Sequence, residues 1–352
     1  MIKIWYRHLL THLTLTFLFL LVCFFTIYAI VDLSVHGVRF LSTGPTTFLE
    51  IALYYFHEFA KHLELFLPLT LLIASMKVLL DLNTHNELVA LQMAGLSKKT
   101  LLRPFFLFAA LLSFVSYANS QWLAPDAQDA SYTFRNQHSK KKKKAKREHV
   151  YNIALEDDSE LIYQSFDEKN KELFDVFWVK SGSDIWHMKF LKIDLKHPQG
   201  RFVDHLKRND KGQFEKTESF DVRSFPRLPW DDEAVLERFV PFENRPISTL
   251  LSQASGLTAE RQSVFSHLHY KIAIPLLPFF IIIAISPIAM RFSRTRPTFL
   301  IAAISLFTFI GLMTVLDGML ILGENQVIPG YLAIWGPIAL IFAFTFPRFA
   351  KL

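Results

Sequence analysis

The stretch Leu101-Leu-Arg-Pro104-Phe-Phe-Leu-Phe-Ala-Ala-Leu-Leu-Ser-Phe-Val-Ser-Tyr-Ala-Asn-Ser-Gln121-Trp-Leu-Ala-Pro125-Asp126 decides the fold. From Pro104 to about Leu123 it is apolar over roughly 20 residues, the length of helix needed to cross a bilayer. Pro104 opens the run and Pro125 ends it. At Asp126 the composition turns polar and stays so to about Gln262. Two apolar runs precede this stretch. Leu13 to Val31 is the first, and Leu65 to Leu80 is the second, within a helix expected to start near Thr47. Three more close the chain: Ile272 to Met290, Phe299 to Leu322 and Tyr331 to Phe346. Pro275, Pro278 and Pro287 are expected to kink or shorten the fourth, which membrane helices tolerate because neighbours satisfy the freed carbonyls. The chain therefore reads as three spans in residues 1–125, a polar insert in 126–262 and three spans in 263–352.

The totals agree. Of 352 residues 51% are hydrophobic, and mean hydropathy is +0.25 even with the long polar insert included. That marks an α-helical integral membrane protein. The net charge of +6 comes largely from Lys140 to Lys144 with Lys146 and Arg147, so it does not argue for nucleic acid. That run reads as a solvated loop, or as a contact with anionic lipid or a partner. The single cysteine, Cys23, excludes an internal disulfide and a cysteine-rich metal site. Lys3 and Arg7 before an apolar run imitate a signal peptide, but the run is too long and lacks a small-residue cleavage site, which predicts a retained helix.

Inside the insert, Glu160 to Phe166, Leu173 to Val179 and Asp184 to Asp194 mix alternation with β-branched and aromatic residues, and turn signals separate them. This predicts an all-β sandwich or roll of roughly a hundred residues. Trp178 and Trp186 fall on these strands. They read as core, though a greasy inner face of such a domain also suits acyl chains. A helical stretch, Ile247 to Leu251, leads back to the spans.

Orientation follows from the short loops. Lys3 and Arg7, Lys98, Lys99 and Arg103, Arg291, Arg294 and Arg296, and Arg348 with Lys351 share one side. The positive-inside rule makes that side cytoplasmic, along with both termini; the insert then lies outside, since long domains translocate largely regardless of charge. With no cysteine pairs, the insert suits a periplasm at least as well as open medium.

Between the second and third runs, Thr84 and Glu87 have capping-box spacing, Leu88, Leu91 and Met93 give an apolar side, and Gly95 supplies a stop. This predicts a helix of about ten residues near 84–94, too short to span. Two readings stand: a handle that another protein grips, or a loop with one interfacial turn.

Catalytic groupings are missing. Gly95-Leu-Ser-Lys-Lys-Thr100 ends like a nucleotide-binding loop but lacks its spacing, and no nucleophile elbow is present. His267 and His269, two apart, do not share a helix face and make a poor metal pair. Ionisable residues at membrane depth are the better leads, because each costs about 2.5–3.5 kcal/mol unless paired or wet. These are Asp32, Asp317 and Lys77, the last able to snorkel. His36, Arg39, Lys61 and His62 form a basic collar at the outer boundary of the first two helices. It suits an anionic headgroup, or is an exposed rim.

Four stretches then resemble the permeases of lipopolysaccharide-export ABC transporters, the LptF/LptG family. They are Asn86-Glu-Leu-Val-Ala-Leu-Gln-Met-Ala-Gly-Leu-Ser97, Gln121-Trp-Leu-Ala-Pro125, His269-Tyr-Lys-Ile-Ala-Ile-Pro275 (where the family usually has Arg for Lys271) and Ile328-Pro-Gly-Tyr-Leu-Ala-Ile-Trp335. Together they span nearly the whole chain. Val31-Asp32 and the Gln121 stretch lean towards LptG, although Leu33, Ser34 and Val35 stand where that type carries basic residues after the aspartate. The resemblance implies an inner-membrane protein of six helices with an inserted periplasmic, jellyroll-like β domain. It implies a second permease of the same family, a dimeric cytoplasmic ATPase, a periplasmic bridge protein, and lipopolysaccharide as the load. Glu87, Leu88, Leu91, Gln92, Met93 and Gly95 would couple to the ATPase. Asp32, His36, Arg39, Lys61, His62 and Asp317 are the substrate-contact candidates. No cofactor is expected in this chain, since ATP and magnesium would sit on the partner. The competing class is a mechanotransmission or assembly protein worked by an ATPase without a lipid cavity.

Overall fold

A computed structural model describes residues 4–42, 48–127, 130–131, 151–155, 159–167, 170–193, 198–209, 213–226, 228, 241–255, 261–291 and 298–352. The lysine run, Arg294 and Arg296 fall outside them, as does the side chain of Arg39. The chain forms two compact units. One comprises Met1–Lys140 with Phe242–Leu352, the other Lys141–Pro241. The helical unit thus includes Phe242 to Ser255, which the polar composition had assigned to the insert. This stretch is polar in sequence, yet Leu250 and Ala254 bury against Val264 and Leu268 of the helix that follows.

In the helical unit, α1 (Ile4–Ser42) and α2 (Phe48–Thr84) are followed by two short helices, α3 (Glu87–Met93) and α4 (Lys98–Leu101), and by α5 (Arg103–Ala118). After the β unit come α6 (Ile247–Ser255), α7 (Arg261–Ala273), α8 (Leu277–Ala289), α9 (Thr298–Glu324) and α10 (Gly330–Ala350). Among the described residues, six segments have the length and apolarity to cross a membrane: Ile4–His36, Leu49–Thr84, Lys98–Ala127, Arg261–Ala289, Phe299–Glu324 and Gly330–Ala350. Their inward faces make one continuous core, with Leu13, Leu71, Phe105, Leu277, Ile285, Leu316 and Ile338 among its members. Outward, Phe19, Val22, Phe114, Phe299 and Phe307 are exposed. A hydrophobic surface that wide is what a bilayer covers.

One proline behaves unlike its sequence reading. Pro125 does not end the third span; helix continues to Ala127. The reason is a π-helical turn, Asn119–Leu123, in which the Ala124 N–H bonds the Asn119 carbonyl. The widened turn removes the clash that a proline ring makes with the carbonyl four residues back. Pro287 lies within α8, near its end. Pro275 and Pro278 act as expected, breaking the fourth span with a 3-10 turn at Ile274–Leu276.

The β unit has six strands: β1 (Tyr151–Ala154), β2 (Glu160–Asp167), β3 (Glu172–Ser181), β4 (Asp184–Lys192), β5 (Gln199–Arg208) and β6 (Phe214–Ser224). They pair antiparallel in chain order, so the described strands make one sheet rather than two. One face is greasy, carrying Leu161, Leu173, Val176, Trp178, Trp186, Met188 and Val203, with Phe225 and Leu228 after β6 joining the cluster. The Trp178 indole N–H donates to Ser159 Oγ at 3.0 Å, which satisfies the ring's polar edge in the core.

Candidate functional site

The short helix between the second and third spans is real but begins later than the capping-box spacing implies. Thr84 is the last residue of α2, and its hydroxyl donates to the Asp81 carbonyl at 3.1 Å. Thr84 is itself still helical and stands two residues before the cap position of α3. Asn86 occupies the cap position instead, at φ 59° and with no side-chain cap bond. Asparagine tolerates that left-handed turn better than most residues. At the other end Gly95 does supply the stop. It sits at φ +85°, its N–H bonds the Gln92 carbonyl at 2.9 Å, and the Leu96 N–H reaches back to Leu91 at 3.1 Å. This is a Schellman closure. Ser97 Oγ then accepts the Thr100 N–H and starts α4, so Gly95 to Thr100 is a helix stop followed by a helix start.

α3 has two faces. Leu88 is buried, 2% exposed, and Leu91 packs on the main core. Gln92 is half-buried, while Glu87 and Met93 face outward, Met93 being 85% exposed. Glu87, Ala90 and Leu91 line a shallow apolar groove with Trp5, His8 and Leu9 of α1 and Leu82 of α2. The region is tied to the second half of the chain at two points: Asn83 Nδ2 donates to the Arg291 carbonyl at 3.2 Å, and Lys99 Nζ to the Ala350 carbonyl at 2.9 Å. α3 thus sets an exposed acidic and apolar face on a buried footing.

At the other end of α1 and α2, the substrate-contact candidates divide. His36 and His62 do not form an open collar. His36 Nδ1 lies 2.9 Å from Asp32 Oδ1, and His62 Nε2 lies 3.3 Å from Glu58 Oε2. Each carboxylate also takes a tyrosine from the opposite helix, Tyr54 donating to Asp32 at 3.2 Å and Tyr28 to Glu58 at 2.7 Å. Asp32 is 7% exposed and Glu58 is fully buried. Tyr28-Asp32-His36 and Tyr54-Glu58-His62 share one spacing of four residues, which puts all three side chains on one helix face. Tyr28, Tyr54 and Glu58 escaped the sequence reading, though this repeated spacing was the signal for them. Lys61 is half-buried and pairs with no described residue. Arg39 lies on α1, with its side chain outside the described set. Asp317 is remote in sequence from this seam and accepts the Tyr270 hydroxyl at 3.0 Å. Among the described residues no group of three metal-ligating side chains occurs.

Residues 7–351 match the family described as lipopolysaccharide export system permease LptF/LptG. The chain belongs to the LptF/LptG family. No curated protein matches it. An LptF/LptG permease is a multi-pass inner-membrane subunit of lipopolysaccharide export rather than an enzyme in itself, which suits a chain with six candidate spans.

Two of the four stretches that carry the family resemblance meet in this LptF/LptG chain where α7, α9 and α10 pack together, and a third, at Gln121, bonds α6. His267 of α7 pairs with Glu324 at the end of α9. The Trp335 indole of α10 donates to His269 Nδ1 at 3.3 Å. Gly323 and Gly330 press on Ser266, so closely that an added Cβ would lie 2.5 and 2.6 Å from its Oγ. Lys271 Nζ donates to the Arg245 carbonyl at 2.6 Å, and Gln121 bonds Ser248 twice. His267 and His269 thus have separate partners, as their spacing predicts.

Proposed function

We propose that this chain is one permease of a heteromeric exporter that lifts lipopolysaccharide from the outer leaflet of the inner membrane and passes it to a periplasmic bridge, driven by a separate dimeric ATPase. The family assignment supports the load, and the outward face of α3 supports the drive. α3 stands on a buried Leu88 while offering Glu87 and Met93 to a partner, and the chain carries no nucleotide-binding loop of its own. Positive loop charge on the α3 side supports cytoplasmic termini and a periplasmic β unit. Hydrolysis on the partner displaces α3, and the helices rooted in the same core carry the displacement to a lipid cavity completed by a second LptF/LptG permease. Such transmission needs an element with two stable positions. On this reading Lys61 and Arg39 meet the anionic headgroup. Asp32, His36 and His62 act behind them, through the seam that fixes α1 against α2.

The test is purification of the chain from its native membrane, with mass spectrometry of what accompanies it. A second family permease and an ATPase should copurify in stoichiometric amounts. ATP hydrolysis by the chain alone, or isolation with neither partner, refutes the proposal.

A further inference from the structure

Segment 242–255 is the first stretch of the helical unit after the β unit, and two different spans hold it. From α7, Lys271 Nζ donates to the Arg245 carbonyl at 2.6 Å, with Lys271 only 5% exposed and Arg245 3%. From the π-turn after α5, Gln121 Oε1 accepts the Ser248 N–H at 3.1 Å, and Gln121 Nε2 donates to Ser248 Oγ at 2.7 Å. Ser248 is the second residue of α6, where a helix leaves its N–H groups without internal partners. The Arg245 guanidinium bonds Gln253 at 2.8 Å and lies 4.1 Å from the Phe242 ring, which also stacks on His267 at 5.5 Å.

Burying an ammonium against a backbone carbonyl is a poor way to gain stability, because an apolar side chain of the same size avoids its desolvation. What the ammonium adds is direction: it fixes where one carbonyl sits. The π-turn is likewise a local irregularity that re-aims a side chain, and such turns recur at functional positions.

We propose that Lys271 and Gln121 are positioning residues that bolt segment 242–255 to α7 and α5, so that movement of those spans is delivered to the β unit through the chain at Phe242. The role in transfer rests on the export function proposed above. The bolt itself does not.

Two readouts separate them. In a Cys23→Ser background, spin labels at Leu251 of α6 and Leu111 of α5, both exposed, report the distance between segment and span by pulsed dipolar resonance. The parent and Lys271→Arg should give one narrow distribution. Lys271→Met should add a second population, since losing the bond to a buried carbonyl weakens docking about tenfold; Gln121→Leu should add a smaller one, since Ser248 is exposed and its amide can bond water. An unchanged distribution in Lys271→Met overturns the bolt. In the reconstituted complex, a photoreactive residue at Phe220, which packs on the greasy face of the β unit, reports arriving lipopolysaccharide. Lys271→Met should lower that adduct about tenfold, with ATP hydrolysis and the adduct at a Lys61 probe unchanged. Lys271→Arg should restore it. Normal transfer in Lys271→Met, or equal loss in Lys271→Arg, overturns the role in transfer. If the parent complex forms no lipopolysaccharide adduct at either probe, the export reading fails, and the spin-label result alone decides the bolt.

Discussion

Gly323→Ala and Gly330→Ala should both damage the joint between α7, α9 and α10, but only the first should be rescued by Ser266→Ala. A Cβ at Gly323 meets Ser266 Oγ at 2.5 Å, then Ser266 Cβ at 3.2 Å and Ala333 Cβ at 3.4 Å. Removing the hydroxyl leaves only contacts that a few tenths of an ångström relieve. A Cβ at Gly330 meets Ser266 Oγ at 2.6 Å but also its Cα and N at 2.9 Å, and backbone cannot be mutated away. Overpacking of this kind costs about 1–3 kcal/mol. Alanine's better helix propensity offsets up to about 1 kcal/mol of it, so single mutants mislead and a double-mutant cycle is needed. The cycle cancels propensity and the loss of the Ser266 bond to Gln262. For 323 with 266 it should return a coupling of about 1–2 kcal/mol, within the range for residues in contact. For 330 with 266 the coupling should be close to zero. The assay is reversible unfolding in mixed micelles, followed by intrinsic tryptophan fluorescence. Equal rescue of both glycine variants, or rescue of neither, refutes the close approach on which this joint is built.

Glu87→Ala should leave unfolding within about 0.5 kcal/mol of the parent, because Glu87 is exposed. It should nonetheless weaken capture of the ATPase about thirtyfold or more, the effect of truncating one member of a desolvated charge pair. Leu88→Ala should do the reverse in kind, costing about 2–5 kcal/mol of local stability because Leu88 is 2% exposed; proteolysis of the α2–α5 connection checks it. In the β unit, the Lys216 ammonium and the Ser219 hydroxyl hold the Asp204 carboxyl below its ordinary value of 3.8. A carboxyl depressed in the folded state stabilises above its unfolded pKa and loses that contribution as pH falls through the folded one. Asp204→Asn should therefore flatten the acid limb of the β unit's stability below about pH 4, by a small amount, since the group is partly exposed and screened by solvent. An unchanged acid limb counts against the pairing.

The spans were legible because apolar runs of bilayer length have few other uses, and β2 to β4 because their alternation is strong. β5 and β6 were not. Gln199–Arg208 buries little beyond Gly200, Val203 and His205, and nearly all of Phe214–Ser224 is exposed. Their strand character comes from pairing with β4 and then with each other, a tertiary gain that local pattern does not carry. Thr84 and Glu87 had the right spacing for a capping box, yet α2 runs on through Thr84 and leaves the cap position to Asn86. At the candidate site, Asp32 was found by its cost in a membrane, and His36 and His62 as members of a basic collar. Their tyrosine and glutamate partners needed the packing of α1 on α2 to become visible. Pro125 misled because the π-turn that accommodates it leaves no mark in composition.

On the proposed function, lipopolysaccharide is held at the outer end of α1 and α2 under the control of an ATPase gripping α3. A photoreactive residue in place of Lys61, in membranes containing the assembled complex, is the direct test. A lipopolysaccharide adduct should form without ATP, be lost when ATP is hydrolysed, and persist under ATP when Glu87→Ala is added. An adduct that never forms, or one indifferent to ATP in the Glu87 parent, would contradict it.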